Sequence, residues 1–79
     1  MKFGSIRIKL RKGVNRQRKI ATKTWLKKQK GVQDVWFTDS IECDIFVELK
    51  VIDRQEAEEL NRTLNEDMDI DRTELRVSI

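Results

Sequence analysis

The side chains best able to do chemistry are concentrated near the N-terminus. Arg11, Lys12, Arg16, Arg18 and Lys19 surround Gly13 and Asn15 in one short segment. Glycine lets a backbone approach a ligand closely, and Asn15 is a competent N-cap for a following helix. Free helix N–H groups and side-chain cations then converge, which is the chemistry that binds phosphate. Two acidic constellations invite sharper readings. Asp34 or Asp39 with Glu48-Leu49-Lys50 supplies the two acids and the lysine that could hold Mg²⁺ and polarise an attacking water. A hairpin turning at Asp39-Ser40, however, pairs Glu48 near Gly31 and leaves these groups apart. Asp67, Asp69 and Asp71 occupy the first three carboxylate positions of a calcium loop, but Arg72 stands where glycine is needed and Ser78 where the bidentate acid belongs. With no His, no Tyr and a single Cys43, the commonest acid-base, nucleophilic and zinc-binding groups are missing too. The expectation is a protein that is not an enzyme and carries neither metal nor cofactor.

Charge is partitioned along the chain. The net charge of the 79 residues is only +3. Residues 1–30 nevertheless carry twelve Lys and Arg and no acid, which leaves five bases and all 14 acids in the other 49 residues. Such asymmetry points to a polyanion partner or to an electrostatically polar molecule. The chain is sized for one domain, 1–79, with one thin core. No apolar run approaches the roughly 18 residues of a membrane span, and the first residues lack a signal-peptide core. A lone cysteine agrees with a reducing compartment, so a cytoplasmic location is expected.

Periodicity supplies the elements that must position these groups. Ile6, Ile8 and Leu10 alternate with Arg7, Lys9 and Arg11, predicting a first strand between Phe3 and Lys12. A helix follows from Asn15 to about Lys30, with Gly31 as its stop. On its wheel Val14, Ala21 and Trp25 form the apolar side, flanked by Ile20 and Thr24. Arg16, Lys19, Lys23, Lys27 and Lys30 fall opposite, within an arc of about 80°. A second strand is predicted over Val32–Thr38 and a third over Ile41–Val51. The latter has the longest alternation in the chain, with Cys43 in phase with the core. Asp53 caps a second helix whose Ala57, Leu60, Leu64 and Met68 form one stripe. An acidic loop, Asp67–Asp71, precedes a last strand carrying Leu75, Val77 and Ile79. The order βαββαβ predicts an α+β, ferredoxin-like sandwich: a four-stranded antiparallel sheet with both helices on one face.

Two resemblances accompany this order. The arrangement resembles the RNA-recognition motif, with Phe46 at the third-strand position where that motif displays an aromatic. Residues 31–60, through Gly31-Val32-Gln33-Asp34-Val35-Trp36, Asp44-Ile45-Phe46-Val47-Glu48-Leu49, Ala57 and Leu60, resemble the small ferredoxin-like effector domain of feast/famine transcription regulators. The second resemblance implies self-association through the sheet.

The leading expectation is a nucleic-acid-binding protein that contacts the phosphates of DNA or RNA through Arg11, Lys12, Arg16, Arg18, Lys19, Lys23 and Lys27. Cations in a first helical turn oppose the helix dipole by about 0.3–1 kcal/mol each, a penalty that a bound anion would reverse. Replacing Arg16, Arg18 and Lys19 with Gln is therefore expected to remove binding while leaving thermal stability unchanged or slightly higher. The β1–α1 loop is expected to lie farthest from the acids of the second helix. Trp36 and Phe46, facing out of the sheet, are candidate stacking or partner-anchoring residues. The alternative is a small regulatory or inhibitory interaction module, binding an acidic protein or forming a homodimer through its charge-polarised surfaces.

Overall fold

The computed structural model describes residues 3–50 and 53–78. Its elements are β1 (Phe3–Leu10), α1 (Arg16–Lys27), β2 (Val32–Phe37), β3 (Ile45–Leu49), α2 (Arg54–Asn65) and β4 (Ile70–Ser78). All paired strands are antiparallel, in the order β2-β3-β1-β4, so the two sequence-distant strands β1 and β3 occupy the centre. This is the ferredoxin-like arrangement that the element order predicts. Val51 and Ile79, expected to end the third and fourth strands, lie outside the described residues.

Period-2 patterning positions the core. Ile6, Ile8 and Leu10 of β1, Ile45, Val47 and Leu49 of β3, Val32 and Val35 of β2 and Ile70 of β4 are all buried with Leu26, Ala57 and Leu64 of the helices. Cys43 is buried beside them, its thiol donating to the Ile45 carbonyl at 3.0 Å. Asp53 caps α2 by accepting the Gln55 N–H, as its position predicts.

Several expectations are corrected. The helix α1 turns a different face to the sheet: Leu26 is fully buried and Thr22 nearly so, while Trp25 and Ile20 remain 40% and 45% exposed and Ala21 is exposed. Thr22 can enter the core because its hydroxyl donates to the Arg18 carbonyl one turn back, at 2.9 Å. Lys19 and Lys23 are half-buried at the margin, where long aliphatic stems cover apolar surface and the ammonium groups stay wet. The helix also ends at Lys27, where Lys28 and Gln29 donate to carbonyls three residues back.

The third strand is shorter than its alternation suggests. Ile41 is 90% exposed, and residues 38–44 form the β2–β3 loop. Together with a bulge between Val32 and Asp34, this loop brings Glu48 directly opposite Asp34. The two acids are therefore adjacent, not separated as a turn at Asp39-Ser40 would make them. At the far end of α2, Met68 lies beyond the helix in the loop to β4 and is exposed, so the apolar stripe closes at Leu64.

Candidate nucleic-acid interface

Beyond Leu10 the chain leaves the sheet through a short loop, passes Gly13 at φ +95°, and enters α1 at Asn15. Nothing crowds the space a Gly13 side chain would fill, so glycine is needed there for its backbone conformation. The Asn15 Oδ1 accepts the Arg18 N–H at 2.8 Å, closing the first turn. Loop and helix start thus hold the predicted cations at one end of the sandwich.

Tertiary structure sorts those cations into three sets. Arg11 and Arg18 belong to the first. The Arg11 N–H donates to the Asp69 carbonyl at 2.8 Å, and its Nε donates to the Met68 carbonyl at 2.6 Å. From Arg18, Nε reaches Asp69 at 2.6 Å and Nη2 reaches Asp67 at 2.8 Å. Asp67 is itself oriented by the Asp69 N–H, which its Oδ1 accepts at 2.9 Å. The Asp69 hydrogen bond, and then the Asp67 charge, push the already high pKa of the Arg18 guanidinium further up. The expectation set this loop far from the acids of α2, and the acids that do meet it come from the α2–β4 loop instead. β1 and β4 are adjacent and antiparallel, so the α2–β4 loop emerges beside the end of β1. The acidic segment Asp67–Asp69 is the internal anion of Arg18.

Arg18 is consequently structural, contrary to the expectation that its removal is free. Two exposed ion pairs contribute about 0.2–1 kcal/mol each. Arg18→Gln is expected to lower the free energy of unfolding by roughly 1 kcal/mol, while Arg16→Gln, relieving an adverse dipole interaction, leaves it unchanged or slightly higher. Urea midpoints of the two variants check this. Because the pKa of Arg18 is raised, its contribution is complete below the ordinary guanidinium range wherever Asp67 and Asp69 are ionised. On the alkaline side it is lost only as pH climbs through that range, so alkaline titration to moderate pH leaves it intact.

The second set comprises Lys12, Arg16 and Lys19. Among the described residues none of the three has a carboxylate within 4 Å. Lys12 and Lys19 border a cleft of about 380 Å³ that runs along the β1–α1 loop, with Lys9, Asp44 and Asp71 on its other walls. Lys9 and Asp44 pair at 3.5 Å, and Asp44 Oδ2 also accepts the Leu10 N–H at 2.8 Å. The third set, Lys23 and Lys27, leans on β2. The Lys23 ammonium lies 4.9 Å from the centroid of Phe37, and Lys27 stands 3.9 Å from Asp34. Lys30, just past the helix, reaches Glu56 of α2 at 3.2 Å.

On the open face of the sheet, Glu74, Arg7, Phe46 and Trp36 form one row across all four strands. The Trp36 and Phe46 rings meet at 5.1 Å between centroids, inclined by 34°. Each aromatic thus has the other as its partner, a cross-strand contact of about 0.5–1.5 kcal/mol. Periodicity alone does not single out Phe37 and Ile20 as exposed candidates for binding. Phe37 is in phase with the buried Val35, yet it is 43% exposed because β2 is an edge strand. The βαββαβ order already makes β2 an edge strand, but the sequence does not show how much of Phe37 the helix beside it leaves uncovered.

Among the described residues no three His, Cys, Asp or Glu side chains cluster closely enough to hold a metal ion. Asp67 and Asp69 are committed to Arg18. No described helix is long and apolar enough to cross a membrane.

Strand order, helix placement and antiparallel pairing define a ferredoxin-like βαββαβ domain. Two solved structures share this arrangement over the whole chain. The hypothetical protein PHS023 from Pyrococcus horikoshii is 16% identical, with a TM-score of 0.65 and 90% of its own chain covered. FFRP-DM1 is 18% identical, with a TM-score of 0.61 and all of its chain covered. At such identities the likeness is one of fold. No family model matches the sequence, and no curated protein does either.

Proposed function

We propose that this protein is a noncatalytic polyanion-binding protein whose ligand is DNA or RNA, held by its phosphates at the β1–α1 end of the sandwich. The observation that carries this reading is the contrast between neighbouring cations of the β1–α1 loop and the first turn of α1. Arg18 has two carboxylate partners, whereas Lys12, Arg16 and Lys19 beside it have none among the described residues. Unpaired like charges repel, and a phosphate backbone relieves that repulsion by releasing its own counterions. Four contacts, adding Lys23, give a slope of log K against log salt of roughly −3. Fluorescence anisotropy with labelled oligonucleotides at two salt concentrations tests this. Absence of salt-sensitive binding at low micromolar protein overturns it.

A second reading, a small regulatory module that self-associates, is favoured by the Trp36–Phe46 pair on an otherwise charged open face. Sedimentation equilibrium decides it. A monomer mass at both low and high salt counts against self-association.

A further inference from the structure

The basic face of α1 does not point away from the sheet. Turning Leu26 and Thr22 inward lays Arg16, Lys19 and Lys23 along the outer side of β2, an edge strand. Between helix and strand lies a cleft of about 260 Å³, lined by Arg16, Lys19, Ile20, Phe37, Thr38 and Asp44. Its two apolar residues are both strongly exposed, and they are surrounded by cations. Lys23 stands over the Phe37 ring and is not among the side chains that line the cleft. Asp44 commits Oδ2 to Lys9 and the Leu10 N–H, while Oδ1 makes no hydrogen bond among the described residues.

We infer that this cleft receives an unpaired nucleotide, so that the nucleic acid bound is single-stranded. The inference rests on the reading given under Proposed function and names the form of its ligand. A base has the flat apolar surface that Phe37 and Ile20 offer to cover, and its phosphate falls within reach of Arg16 and Lys19. The free Asp44 oxygen accepts an exocyclic N–H at the base edge. In a duplex the base faces are stacked on one another and unavailable, so only the phosphates would be bound. Single-strand binders combine a basic track with an aromatic platform, and here the two lie side by side at the α1–β2 edge, apart from the open face that carries Trp36 and Phe46.

The test compares three labelled probes of equal length: a single strand, its duplex and a base-free phosphodiester strand. Each is titrated against the wild type and Phe37→Leu. The expected result is tighter binding of the single strand, and a loss of roughly 5- to 100-fold on Phe37→Leu for that probe alone. Phe37 is exposed enough for the variant to fold. Should its thermal midpoint fall, Ile20→Gln on the facing wall gives the same comparison. Equal binding of all three probes with no effect of either variant overturns the inference while leaving phosphate binding standing. No binding of any probe overturns both. An acidic peptide that binds as tightly as the single strand, and loses as much on Phe37→Leu, overturns the nucleotide assignment.

Discussion

Leu26→Ala is expected to lower the free energy of unfolding by about 2–5 kcal/mol, and Ile20→Ala by less than about 1 kcal/mol. Both substitutions remove the same amount of hydrocarbon from the same helix. They differ in where that hydrocarbon sits. Leu26 is fully buried among β-sheet side chains, and its truncation leaves a cavity that a close-packed interior fills only in part. Ile20 already exposes nearly half its surface. In a domain of this size, each kcal/mol moves the thermal midpoint by about 4–8 °C, so Leu26→Ala should melt at least roughly 4–8 °C below Ile20→Ala. Thermal and urea unfolding of both variants checks the prediction. Equal losses would mean that α1 presents its other face to the sheet, and the basic stripe would then leave the edge of β2.

Reversing Lys12, Arg16 and Lys19 together to Glu is expected to weaken oligonucleotide binding by at least roughly a hundredfold. Three phosphate contacts disappear and three repulsions replace them. The slope of log K against log salt should flatten by roughly 2–3, because about 0.9 counterions are released per phosphate neutralised on a duplex and about 0.7 on a single strand. The variant should remain folded. These side chains have no carboxylate partner among the described residues, and acids in the first turn of α1 complement the helix dipole where bases opposed it. Arg18→Gln is the control: it loosens the contact between the β1–α1 and α2–β4 loops yet should change the salt slope little, since its charge is already met by Asp67 and Asp69. If the triple variant binds with the wild-type slope, the phosphate contacts are elsewhere on the molecule. Self-association through the open sheet face, by contrast, would be untouched by all three substitutions.

Local pattern made much of the fold legible. Alternation between Phe3 and Leu10 specifies β1 because successive strand side chains point to opposite faces, and a one-residue slip would expose Ile6, Ile8 and Leu10 together. Asn15 and Asp53 mark their helix starts because the capping acceptor and the N–H it satisfies are only two or three residues apart. Six elements in the order βαββαβ then leave few ways to bury one apolar face per strand and one stripe per helix, and the ferredoxin-like sandwich is the arrangement observed. Helix α1 lies a quarter-turn or more from the face its hydrophobicity predicts, for an equally physical reason. Hydrophobicity ranks Trp25 and Ile20 above Thr22, but a threonine whose hydroxyl is satisfied within its own helix enters a core cheaply, and lysine stems can line its rim.

The sequence by itself determined the strand and helix order, the caps, the central β1 and β3 pattern and the concentration of twelve bases ahead of the first acid. Only the tertiary structure decided which of those bases are already answered. Arg18 meets Asp67 and Asp69 across some fifty residues of intervening chain, because the antiparallel β1–β4 pairing brings two distant loops to one end. Phe37 becomes an exposed ring beside Arg16 and Lys19 because β2 has no neighbour on its outer side. Electrostatic and packing energies depend on separation in space, and no short-range pattern encodes the pairings that strand order creates.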